Sequence, residues 1–145
     1  MWAASAAIVP ASAGAAVTWR TLADGASPGN PVVRPAAYVA LTRSGAAPFL
    51  SRLPSAGVAA LDKVDFTTNV VVAIIGEFGC RDGRIAVSSI AQRGTTLAVN
   101  LVQRPLAPGT AECMAIFGTY RLLSVPRSAL RRPYPAHATV TLAGS

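Results

Sequence analysis

One histidine, His137, is the only side chain in this 145-residue sequence whose ordinary pKa suits it to general-base work near neutral pH. Nucleophilic catalysis through it would need a serine or cysteine within hydrogen-bond reach and a third group to orient the ring. Serines are plentiful, but no Gly-x-Ser-x-Gly elbow holds one at a strained turn. His137 therefore reads as a solvated side chain on the closing strand, and a hydrolase built on it is the least favoured function. Carboxylate chemistry can draw on Asp24, Asp62, Asp65, Glu77, Asp82 and Glu112. Asp62 and Asp65 stand just ahead of an apolar run and read as groups that solvate or cap a turn. Glu77 and Glu112 approach one another only if the cysteines beside them are bridged, and such a pair reads as incidental. No catalytic residue is assigned.

The two cysteines, Cys80 and Cys113, make an even number in a chain that reads as exported, so a disulfide is expected. A bridge closing a loop of roughly 34 residues contributes about 3 to 4 kcal/mol in the chain-entropy model. The alternative is two unrelated buried thiols. With one histidine and no Cys-x-x-Cys pair, a structural zinc site lacks ligands, and no metal is expected. Gly76-Glu77-Phe78-Gly79 follows a strand but lacks the Gly-x-Gly-x-x-Gly fingerprint and leads into no helix, so no cofactor is expected either. What the loop from Glu77 to Gly83 does offer is a contact surface. Phe78 beside Cys80 would be a large apolar side chain on a pinned turn, preorganised for docking; packed beneath the loop instead, it would carry no such role. Glu77, Phe78, Arg81 and Asp82 are the candidate partner-binding residues, with the loop from Arg104 to Glu112 nearby.

The formal charge of +7 comes almost wholly from arginine, Lys63 being the only lysine. The arginines are scattered singly, apart from Arg127, Arg131 and Arg132, and no element interleaves basic and aromatic residues as a nucleic-acid face does. A nucleic-acid partner is not expected. The alanine-rich stretch from Trp2 to Val17, broken by Pro10 and Gly14, is too short and too weakly apolar to span a membrane. It reads as an export signal over residues 1–16, with Ala11-Ser12-Ala13 as the small-x-small cleavage pattern, or else as a flexible arm. An extracytoplasmic location, periplasmic or secreted, follows from the first reading.

Positioning any of these groups falls to a mainly β chain. A hydrophobic content of 52% over this length provides for one core, so residues 17–145 are read as a single domain. Strands are expected at Val17 to Leu22, Tyr38 to Thr42, Asn69 to Ile75, Arg84 to Ile90, Leu97 to Val102, Glu112 to Val125 with a bend at Gly118, and Ala136 to Leu142. Ala23 to Pro35 is dense in turn formers and reads as a loop. Asn69 to Ile75 is an unbroken apolar, β-branched run, as a strand covered on both faces requires. The glycines that follow suggest a tight turn and an antiparallel return. Ile90 falls out of phase with Ile85 and Val87, which places a bulge near Ser88 and Ser89. Ser44 to Leu53 has a serine to cap a short helix that Pro54 must end. The pattern fits an antiparallel β-sandwich or open barrel with one short helix.

The stretch Val64-Asp65-Phe66-Thr67-Thr68-Asn69-Val70-Val71-Val72-Ala73-Ile74-Ile75-Gly76, the strand ending at Ser89-Ile90, and Tyr120-Arg121-Leu122-Leu123-Ser124-Val125-Pro126 together resemble the C-terminal domain of the protease complex subunit PrcB family. The likeness covers about residues 36 to 130 in the right order. The family's turn reads close to Pro-Thr-Gly-Gly-Tyr, where this chain has Gly79-Cys80-Arg81-Asp82-Gly83. The resemblance implies an extracytoplasmic, non-catalytic domain, in some members an accessory to a secreted protease. The expected function is therefore binding of a protein partner. A protease inhibitor that presents a disulfide-pinned loop is the alternative.

Overall fold

The computed structural model describes residues 14–28, 34–77, 85–103 and 118–143. Two four-stranded sheets are stacked, and short helices cover the outer face of one of them. The first sheet has the order β1-β5-β6-β8, with β1 at Ala15–Ala16, β5 at Ile85–Arg93, β6 at Thr96–Gln103 and β8 at His137–Ala143. The second has the order β2-β7-β4-β3, with β2 at Arg20–Ala26, β7 at Gly118–Pro126, β4 at Asn69–Glu77 and β3 at Ala36–Ala40. Among the described residues every ladder is antiparallel except β6 with β8. The architecture is mainly β as expected, and of the two expected forms, sandwich or open barrel, it is the sandwich, since the described strands close no barrel; the parallel β6–β8 ladder departs from the antiparallel pattern expected.

β4 explains its own composition. Val70, Val72 and Ile74 point between the sheets and pack with Leu123 and Val125 of β7, Ile90 of β5 and Leu97, Val99 and Leu101 of β6. Val71, Ala73 and Ile75 point outward and pack with Leu122 and Tyr120 beneath Phe49, Leu53 and Leu61 of the helical layer. With alternate side chains facing opposite sides, a strand between two cores has no position left for a polar residue. β6 has one fully covered face: Leu97, Val99 and Leu101 are buried, while on the other face Ala98 is buried and Asn100 and Val102 are half-exposed.

The helical layer begins where expected, as a 3-10 turn at Ser44–Ala46 running into α1 at Ala47–Leu50, but Ser44 does not cap it and α1 ends at Leu50, short of the Leu53 expected. A longer helix, α2 at Ser55–Asp62, follows, with Pro54 in extended backbone as its N-cap. Gly57 lets α2 sit close to the sheet, since a Cβ there would lie 3.0 Å from Tyr120 Cε2 and 3.3 Å from Leu53 Cβ.

Three expectations about the chain path need correction. β5 does not return beside β4: β3 and β7 already occupy both edges of β4, so the chain crosses to the other sheet. Of the strand expected from Val17 to Leu22 only Arg20 to Leu22 is strand, as the start of β2, and the short β1 lies before the expected span. β1 belongs to one sheet and β2 to the other, and Val17 to Trp19 make the crossing, with Val17 4% exposed in the inter-sheet core. The loop expected from Ala23 is still strand as far as Ala26: β2 stays paired with β7 through a register shift between Thr21 and Ala23 and a Gly25 at φ +152°, a conformation side-chain-bearing residues rarely adopt. The bulge expected in β5 is present as a register shift between Val87 and Ser89.

Candidate functional site

The register shows where the singled-out loops are rooted. Glu77, the last residue of β4, lies opposite Gly118, the first of β7. Ala26 lies opposite Thr119, Ala36 opposite Ile75, and Ile85 opposite Gln103. Only Val17 to Trp19 separates Ala16, opposite Ala91, from Arg20, opposite Ser124, so those ends of the two sheets are neighbours. The strand ends that flank residues 29–33, 78–84 and 104–117 therefore share the other end of the sandwich. Phe78, Cys80, Arg81, Asp82, Glu112 and Cys113 lie outside the described residues, and Glu77 is placed by its backbone alone.

The remaining candidates for chemistry are dispersed. His137 is exposed at the start of β8, its backbone N–H donating to Thr95 O at 3.4 Å; no hydrogen bond or ion pair engages its ring among the described residues. Asp62 pairs with Arg43, Oδ1 to Nε 2.7 Å, at the surface. Asp65 caps the turn before β4, as its spacing suggested. Its Oδ1 accepts from the Thr67 hydroxyl at 2.5 Å and the Thr67 backbone N–H at 3.0 Å. The hydroxyl first and the amide second hold the Asp65 carboxyl below the usual carboxylate range.

Within the arginine cluster it is Arg127 that serves the fold. Arg127 donates from Nε to Phe66 O at 2.9 Å and from Nη2 to Leu41 O at 2.6 Å, and it stacks on the Tyr134 ring at 5.0 Å. Arg132 lies over the same ring at 5.6 Å. Hydrogen bonding by Arg132, reinforced by its charge and that of Arg127, holds the Tyr134 hydroxyl below its ordinary value against the opposing effect of desolvation. A guanidinium committed to two carbonyls and a ring has little left to offer a phosphate.

Sequence reasoning missed a groove at the opposite end of the sandwich from the loops. It lies between α2 and the outer face of the second sheet, is open to solvent and has a volume of about 620 Å³, within the roughly 300 to 1,000 Å³ of small-molecule sites. On that face β4 and β7 turn polar: Asn69 and Ser124 replace the valines and leucines that continue under the helices, and Ser124 Oγ lies 3.2 Å from Asn69 Oδ1. Arg20 of β2 lies in register with Ser124, and Lys63 follows the last turn of α2. Both are exposed, and neither has an ion-pair partner among the described residues. The two positions are far apart in sequence, so no local pattern could have found them. No helix among the described residues is long and apolar enough to cross a membrane. Comparison of the chain with protein-family models, curated proteins and solved structures finds no match.

Proposed function

We propose that the chain is an exported, non-catalytic protein-interaction domain that engages its partner through the loops at one end of a rigid sandwich. The observation that carries this reading is the convergence of strand ends: Glu77 with Gly118 and Ile85 with Gln103 bring the roots of segments 78–84 and 104–117 together. Binding surfaces are often loops held by a scaffold that does not itself move. Cys80 follows Glu77 by three residues and Cys113 precedes Gly118 by five, so both cysteines are tethered to a single register pair. A disulfide needs Cα atoms roughly 4.4 to 6.8 Å apart, which tethers of that length permit without displacing either strand. The likeness to the PrcB family belongs to the same proposal, and through it a secreted protease is the first partner to try.

The test is to express the tagged chain in its native host, recover it from outside the cytoplasm, weigh it with and without reduction, and identify what co-purifies. A chain shortened near Ala13, alkylated at Cys80 and Cys113 only after reduction, with a partner lost on substituting Phe78 and Arg81 by Ala, is the expected result. A full-length cytoplasmic chain with both thiols reduced, or a partner that the double substitution leaves bound, would overturn it.

A further inference from the structure

We propose that the groove between α2 and β2 is a second binding site, independent of the loops, and that it takes an extended acidic peptide segment. Three observations converge on that occupant. The first is charge: Arg20 and Lys63 reach the groove from its two walls without carboxylate partners among the described residues. The one anion lining it, Asp65, is turned to Thr67 and held ionised. An incoming acidic side chain is therefore attracted to the Arg20 and Lys63 positions and repelled from Asp65, which fixes its place along the groove. The second is shape: α2 presents Ala56, Ala59 and Ala60, a wall of small side chains that lets a main chain come close, and Leu22 and Val64 supply apolar contact beside the cations. The third is the neighbouring edge. β2 is the outermost strand of its sheet, with β7 its only ladder partner among the described strands. An extended segment can pair with such an edge and set alternate side chains into an adjoining pocket. A free fatty acid would satisfy the cations but leave that edge unpaired, which is why a peptide is the favoured occupant.

The probe is a fluorescein-labelled peptide in which valine pairs alternate with glutamate pairs, so that either face of the extended chain presents valine and glutamate in turn. Its counterpart carries lysine in place of glutamate. Saturable binding of the acidic peptide, at least about tenfold weaker for the lysine peptide and for the protein carrying Arg20→Glu with Lys63→Glu, is expected. Ala59→Trp, an exposed position where a large side chain fills the groove, should weaken binding to a similar degree and leave the unfolding midpoint unchanged. Amide resonances should shift at Arg20 to Ala23 and at Ala56 to Asp65. No saturable binding up to about 1 mM would overturn the proposal. So would shifts confined to other residues, or dodecanoate binding where the peptide does not.

Discussion

Gln92 is 6% exposed and works as an internal clamp. Its Nε2 donates to Arg131 O and Gly94 O, both at 2.9 Å, and its Oε1 accepts from Arg131 N at 2.8 Å, so one amide closes the backbone of residue 131 onto β5. Leucine has the right bulk but makes none of these three hydrogen bonds, each worth about 0.5 to 1.5 kcal/mol net. Gln92→Leu should therefore lower stability by about 2 to 3 kcal/mol in urea unfolding, although the change is to a more apolar residue. Asp65 makes a prediction in pH. Its folded-state pKa is depressed by Thr67, so its contribution to stability is present above the unfolded-state value and is lost as pH falls through the folded one. Thr67→Val removes the largest of the causes that lower this pKa. A titration of the Asp65 carboxyl by NMR should then move up toward the ordinary carboxylate value, and melting curves should converge with those of the parent only as pH falls through the parent's depressed Asp65 value.

Alternation is the test at the scale of an element. On β6 the inward Val99 is 1% exposed and Val102 is half-exposed, whereas on β4 neighbours of both parities, Val71 and Val72, are fully buried. Truncation to alanine in a packed core costs the lost transfer energy plus a cavity, about 2 to 3 kcal/mol for such a side chain. Val71→Ala, Val72→Ala and Val99→Ala should each cost that much in urea unfolding, and Val102→Ala less than about 1 kcal/mol. Equal costs at Val99 and Val102 would mean that the outer face of β6 is covered by something further. β4 and the β5 bulge were legible in the sequence because each is a local pattern, the first an unbroken β-branched run and the second a phase error at Ile90. α2 was not, since its alanines and Gly57 make no strong apolar stripe, and Gly57 is required by Tyr120, a residue of distant β7. Gly57→Val should push against that ring and cost about 1 to 3 kcal/mol. The crossing after β4 was hidden for the same kind of reason. Glycines can announce a turn, but only the occupancy of both β4 edges decides which sheet receives the next strand.

At the scale of the molecule the two sheets meet differently on their two sides. On one side, half-buried Ala37 and Val39 of β3 and Ala138 and Val140 of β8 pack against the shared core, and no ladder joins the two strands. On the other side the chain itself is the joint: β1 pairs with β5, Val17 N–H donates to Ile90 O at 2.9 Å, Val17 enters the core, and β2 begins at Arg20 in the opposite sheet. Gly14 fits this corner because it sits at φ +60°, where a Cβ would lie 2.9 Å from Gln92 O. The groove is a product of the same long-range arrangement, since Arg20 stands at the corner and Lys63 at the end of a helix that packs across the sheet. Cutting the chain immediately before Gly14 keeps every one of these contacts and should leave the urea midpoint where it was. Cutting after Trp19 removes β1, withdraws a buried valine worth about 1.5 to 3 kcal/mol and exposes the ladder edge of β5. That shorter chain should lose at least about 3 kcal/mol and associate with itself in sedimentation at concentrations where the longer one does not. Two truncations of equal stability would mean that the sandwich is held by its core and its β3–β8 side alone, with the corner only a path between sheets.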